Sequence, residues 1–111
     1  MKLYKKKCIP CSGDIEPMNK KKINIFLKKI KNWKVKKNEK KAYYLVKHYP
    51  FKNFLQSLSF VKKISIIAEK EAHHPDINFG WGYVVVIIYT HAIKGLSESD
   101  FILASKIDRI N

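Results

Sequence analysis

The stretch from Lys52 to Ala72 limits the possible folds most, because it contains neither glycine nor proline. Its apolar residues recur at spacings of three and four, which places them on one side of a helix of about five turns. Pro75 disfavours helical geometry at the residue before it, so the helix is predicted to end at about His73. The apolar stripe comprises Phe54, Leu55, Leu58, Val61, Ile64, Ile67 and Ala68.

Two segments on either side of this helix carry the alternation and turn signals of β-hairpins. The first runs from Trp33 to Tyr49 and turns at the polar residues 37–41. The second runs from Ile77 to Thr90 and turns at Gly80-Trp81-Gly82, and its second strand is rich in valine and isoleucine. Trp81 is either an aromatic residue of the turn that caps the sheet or part of a pocket wall.

Two shorter helices complete the pattern. Asn19 is a plausible N-cap for the first. Ser97 is the N-cap of the last, and Asp100, three residues later, acts like the acidic member of a capping box. The order is helix, two strands, helix, two strands, helix. It predicts an α+β fold, a two-layer sandwich in which a four-stranded antiparallel sheet carries about three helices on one face. We expect one domain over 1–111, with 1–18 as a flexible or extended arm.

The net charge of +14 is unevenly distributed. Residues 1–47 contain sixteen lysines against three carboxylates, a balance of +13, whereas residues 48–111 have a balance of +1. Arg109 is the only arginine, although specific recognition of bases and phosphates favours the planar guanidinium. Two interpretations stay open, a solvated lysine-rich face and a surface for polyanions. A nonspecific contact with nucleic acid through this half is the weaker alternative.

The cysteines and the apolar runs say less. Cys8 and Cys11 form a lone C-x-x-C, and a structural zinc site would need two more ligands. Two reduced thiols in the arm are the simpler interpretation, beside a labile metal site or a disulfide with a partner.

The longest apolar run, Tyr83 to Tyr89, is far shorter than the roughly 18 residues of a membrane span. No membrane partner is expected, and the lack of a signal-like stretch predicts a cytoplasmic location.

Three of the four histidines lie near predicted element ends: His73 and His74 at the end of the long helix, and His91 after the last strand. Imidazole exchanges protons near neutral pH because its ordinary pKa is roughly 6.5. The three rings are separate surface groups, zinc ligands, or a metal-free acid/base pocket, and spacing alone does not choose. Glu69 precedes His73 by four residues, so the two are predicted to share a helix face, where the carboxylate can orient the ring. Alternatively, Glu69 is a solvated helix residue that pairs with a lysine.

These motifs together resemble a known family. The ordered set His73-His74-Pro75-Asp76, Trp81, Thr90-His91 and Gly95-Leu96-Ser97, with Asp100 after it, is similar to that of the pterin-4a-carbinolamine dehydratases, also called 4a-hydroxytetrahydrobiopterin dehydratases. The resemblance covers about residues 19 to 110. It implies a four-stranded antiparallel sheet with helices on one side, in agreement with the element order.

The resemblance also implies an activity and a site. The family dehydrates 4a-hydroxytetrahydropterin to quinonoid dihydropterin in tetrahydrobiopterin recycling, with neither metal nor organic cofactor. It implies a homodimer or homotetramer, and vertebrate relatives that also serve as dimerisation cofactors of a transcription factor imply a protein-binding alternative. The residues carried over are His73, His74, His91 and Glu69 for catalysis, and Pro75, Thr90, Ala92, Ile93 and Trp81 for substrate binding. Ala72, Ile77 and Ser99 depart from the family pattern, which leaves the preferred pterin open.

Overall fold

A computed structural model of the chain describes residues 2–9 and 15–110. The predicted order of helices and strands is confirmed, and so is the α+β class with its four-stranded antiparallel sheet. Two short 3-10 turns, Leu3–Lys5 and His91–Ile93, were not predicted. The main elements are α1 (Lys20–Leu27), β1 (Lys34–Lys37), β2 (Tyr43–Pro50), α2 (Phe54–Glu71), β3 (Asp76–Gly80), β4 (Tyr83–Ile88) and α3 (Glu98–Ile107).

The sheet has the strand order β1-β2-β4-β3, and every neighbouring pair is antiparallel. In β4 the fully buried Val84, Val86 and Ile88 alternate with half-buried residues, because successive side chains of a strand point to opposite faces. Helix α2 packs against β3, β4 and α3. The apolar core therefore lies between the sheet and the helices, and β1 and β3 are the two edges of the sheet.

The long helix ends two residues earlier than the sequence predicts. Its last residue is Glu71, and Ala72 adopts the left-handed conformation with φ 51°. The backbone N–H of His73 donates to the Ala68 carbonyl at 3.2 Å, which is the closing bond of a Schellman motif. The left-handed Ala72 ends the helix before the position at which Pro75 was expected to end it. Both His73 and His74 consequently lie outside the helix, and His73 does not share a helix face with Glu69.

Residues 2–9 of the predicted arm lie against the helices. Leu3 is 6% exposed, the Cys8 backbone N–H donates to Glu71 Oε1 at 2.9 Å, and the Ile9 N–H donates to Ser99 Oγ at 3.0 Å. These contacts attach the N-terminal segment to the end of α2 and the start of α3. Pro10 and Cys11 of the C-x-x-C motif fall outside the described residues.

The groups around Cys8 have perturbed pKa values. Burial, followed by the nearby charge of Glu71, raises the pKa of the Cys8 thiol to about 12. Burial also raises the pKa of Glu71, but the Cys8 N–H and the Lys106 ammonium at 3.6 Å outweigh it, so that the pKa falls below its usual range. A depressed carboxyl pKa stabilises the fold above the unfolded-state pKa, and this contribution is lost as the pH falls through the folded-state value.

Within the described part of the chain, no helix is both long enough and apolar enough to cross a bilayer.

Candidate active site

The site is built around the first turn of α3. Ser97 caps the helix, and the predicted capping box is confirmed: the Ser97 side chain and the Asp100 side chain each bond the other residue's backbone. The Ser97 N–H donates to Asp100 Oδ2 at 2.8 Å. Asp100 is fully buried, and a buried carboxylate is tolerated only where donors surround it. The helix cap therefore supplies a hydrogen-bond donor to Oδ2 of this carboxylate.

The other contacts of Asp100 come from two further elements. His73 Nε2 lies 2.7 Å from Oδ1, and Thr90 Oγ1 donates to Oδ2 at 2.7 Å. His73 follows the end of α2, and Thr90 follows β4, so the carboxylate joins three elements at one point. Because a carboxylate accepts hydrogen bonds, we assign His73 the tautomer in which Nε2 donates to Asp100. In that tautomer Nδ1 is the acceptor nitrogen of the ring.

Glu69 pairs with His74 and not with His73, contrary to the same-face prediction. His74 Nε2 and Glu69 Oε2 are in hydrogen-bond contact, and their side chains are 58% and 76% exposed. The reason is the left-handed Ala72, which turns His73 towards Asp100 and leaves the next ring near the helix end. An exposed pair of this kind adds little to stability.

His91 lies at the other end of the site. It opens the 3-10 turn after Thr90, it is exposed, and its ring centroid is 4.1 Å from that of Tyr89. Backbone bonds between Thr90 and Gly95 close this loop at its base. The structure thus brings His73 and Thr90 together at Asp100, with His74 and His91 as their immediate chain neighbours.

The remaining predicted residues divide into two groups. Pro75 is half-buried, Ala92 is exposed and Ile93 is 7% exposed, and all three are close in sequence to the histidines. Trp81 is 70% exposed at the turn between β3 and β4, beyond the Gly80–Tyr83 pair. The histidines lie beyond the opposite end of that hairpin, and β3, which separates them from Trp81, is itself about 13 Å long. A single chain therefore does not bring Trp81 to the histidines.

A family model described as "Pterin 4 alpha carbinolamine dehydratase" matches residues 16–110. The chain belongs to the pterin-4-alpha-carbinolamine dehydratase family. Proteins provisionally named as members include one from Rickettsia bellii, 48% identical over 107 residues that cover 96% of this chain and 91% of the relative. A relative from Rickettsia canadensis is 50% identical, covering 96% and 94%, and one from Halorhodospira halophila is 41% identical, covering 99% and 98%.

Solved structures agree with the family fold. A Brucella melitensis protein described as a transcriptional coactivator/pterin dehydratase superposes with a TM-score of 0.72 at 25% identity, covering 83% of this chain and 95% of its own. A pterin dehydratase-like protein described as a RuBisCO assembly factor gives a TM-score of 0.58 at 23% identity, covering 69% and 86%. The second likeness supports the fold alone.

The sequence did not indicate that Asp100 contacts His73. The Ser-x-x-Asp spacing identifies it as a helix-start acid, which is correct, but gives no sign that its other oxygen faces a ring 27 positions away. Among the described residues, no group of three or more His, Cys, Asp or Glu side chains is arranged to hold a metal ion.

Proposed function

We propose that this member of the pterin dehydratase family converts 4a-hydroxytetrahydropterin to quinonoid dihydropterin and water, as a step of tetrahydrobiopterin recycling. The observation that carries the proposal is the buried Asp100, which holds His73 and the residue before His91 at one point. Two further imidazoles beside such an anchored ring supply the donor and the acceptor that a dehydration needs.

The reaction breaks one C–O bond. The bond between C4a and its hydroxyl breaks as a proton is delivered to the departing oxygen, and the N5 proton is removed as the N5–C4a double bond forms. The products are water and quinonoid dihydropterin, so the step balances without an oxidant or a reductant. We assign these two transfers to His74 and His91 as general acid and base, without assigning which is which.

The other residues act in support. His73, fixed by Asp100, takes part in proton transfer or in orienting the pterin, and Glu69 orients His74 through their hydrogen bond. Pro75, Thr90, Ala92 and Ile93 are the proposed substrate-lining positions. A binding role for Trp81 would require a second protomer to bring it to the histidines.

A direct assay tests the proposal. The full chain is mixed with a chemically generated 4a-hydroxytetrahydropterin, and the absorbance of the quinonoid product is followed against the spontaneous reaction. We expect saturable acceleration that dialysis against EDTA leaves unchanged. No acceleration would exclude dehydratase activity, and a loss with EDTA that zinc restores would replace the metal-free mechanism with a metal-dependent one.

We also propose that the protein forms a homodimer or homotetramer. Leu55 and Ile66 are 75% and 68% exposed on α2, and their spacing of 11 residues places both on one helix face. The edge of β3 is a second surface that pairing with another copy would cover. Light scattering is expected to give two or four times the chain mass of 13.0 kDa, and a mass of one chain would reject the assembly.

A protein-binding role is the second candidate function, because the Brucella melitensis structure is described as both a coactivator and a pterin dehydratase. A cytoplasmic location stays a prediction from the sequence.

A further inference from the structure

A cavity of about 420 Å³ lies away from the histidines, at the other end of α3. Its wall combines the N-terminal segment, the turn after α1 and the residues that end α3. Asp108, eight positions after Asp100, lies about 12 Å further along the helix, so this cavity is separate from the proposed active site. It is lined by Lys2, Leu3, Tyr4, Lys29, Lys31, Ser105, Asp108 and Arg109.

The charge of this cavity is strongly positive. It has four cationic side chains and one carboxylate, and the carboxylate of Asp108 is already occupied. Asp108 Oδ1 accepts from Lys47 Nζ and from Trp33 Nε1, each at 2.9 Å, and Oδ2 accepts from the Lys31 backbone N–H at 3.0 Å. Over residues 2–9 and 15–110, none of the four lining cations forms a salt bridge with a carboxylate. The cavity therefore has excess positive charge.

The only arginine of the chain is held in place within this wall. The Arg109 guanidinium carbon lies 4.2 Å from the centroid of the Tyr4 ring. Tyr4 is itself fixed, because its carbonyl accepts from Lys106 Nζ at 2.9 Å and the neighbouring Leu3 is buried in the core. A guanidinium in contact with an aromatic face still has N–H groups that can donate to a ligand, and its planar fork matches the oxygens of a phosphate.

We propose that this cavity binds a small phosphate-bearing ligand of about nucleotide size. A volume of about 420 Å³ is within the range of about 300 to 1,000 Å³ typical of small-molecule sites. Arg109 supplies the bidentate contact, while Lys2 and Lys29, from two other elements, supply further positive charge. The negative end of the α3 dipole favours a cation at Arg109, but it does not account for lysines brought there by other segments.

Calorimetric titration of the full chain with inorganic pyrophosphate tests the site. We expect saturable binding at one site per chain. Arg109→Ala should weaken it by roughly tenfold or more, because a charge-assisted bidentate contact is lost. Arg109→Lys should lose affinity as well, because it keeps the charge and loses the fork. Lys52→Ala removes one positive charge at an exposed position outside the cavity, and its affinity should stay within about twofold of wild type.

Three results would overturn the proposal. The first is the absence of saturable binding of pyrophosphate. The second is an equal loss in Arg109→Ala and Lys52→Ala, which would indicate general charge attraction. The third is binding of single-stranded RNA without binding of pyrophosphate, which would assign the affinity to an extended lysine surface. If Arg109→Ala does not fold, as judged by circular dichroism, the double variant Lys29→Ala/Lys31→Ala makes the same comparison through two exposed side chains.

Discussion

Replacing His74 or His91 with alanine is expected to lower the dehydratase rate by about 100-fold or more, because each ring is proposed to carry one of the two proton transfers. The measurement is kcat with chemically generated 4a-hydroxytetrahydropterin, corrected for the spontaneous reaction. Both rings are exposed, so their removal should leave the fold and the free energy of unfolding nearly unchanged. A lower kcat would then reflect the loss of a proton transfer and not the loss of folded protein.

His48→Ala is the matched control for this pair. His48 is the fourth histidine, exposed on β2 with its ring stacked against Tyr83 at 6.2 Å. It pairs across the sheet with Val85 and makes no contact with Asp100. Its rate should remain close to wild type. If His74→Ala and His91→Ala also keep near-normal rates, the assignment of the two proton transfers to these rings is wrong.

The sequence was informative wherever local patterns decide the structure. The uninterrupted apolar stripe predicted α2, alternation predicted both hairpins, and Ser97 with Asp100 predicted the start of α3. Local chemistry fails at Ala72, because a left-handed C-terminal residue is usually glycine and an alanine there gives no signal. That one conformation moved the helix end by two residues and changed which histidine meets Glu69.

The arrangement of the site depended on tertiary structure. The motifs that resemble the family occur in order along the chain, but order does not give distance. Asp100 and His73 meet because α3 packs against the end of α2, which sequence spacing does not show. Trp81 belongs to the same ordered set, and yet the antiparallel hairpin carries it to the end of the sheet away from the histidines.

The two carboxylates of the site consequently differ in their expected effects. Glu69 and its partner His74 are both exposed, so water screens their interaction and can replace it. Asp100 is fully buried, and the His73 side chain is 14% exposed, so nothing replaces their contact when it is removed. The larger dependence on a carboxylate should therefore be found at Asp100, through the position and protonation of His73.

Asp100→Asn is expected to lower kcat by roughly 100-fold, because an amide no longer holds the His73 ring with its Nε2 proton towards α3. The substitution keeps the size of the side chain and one acceptor oxygen for the Ser97 N–H. It should also lower the free energy of unfolding by about 2 to 3 kcal/mol, since a charged acceptor with three partners is replaced by a neutral one. Nitrogen-15 chemical shifts of the histidine rings would report a changed His73 tautomer, which a purely structural role would not produce.

Asp108→Asn is the matched control, because Asp108 lies at the other end of α3 and its carboxylate likewise accepts hydrogen bonds from three residues. It is 9% exposed and has no contact with the histidines, so its loss should reduce stability without reducing the rate per folded molecule. Both variants are assayed at a temperature well below their unfolding transitions. If Asp100→Asn then keeps the same kcat as Asp108→Asn, and the His73 shifts are those of wild type, Asp100 only caps the helix. A rate lost in Asp100→Asn alone, with altered His73 shifts, makes it the positioning residue of the site.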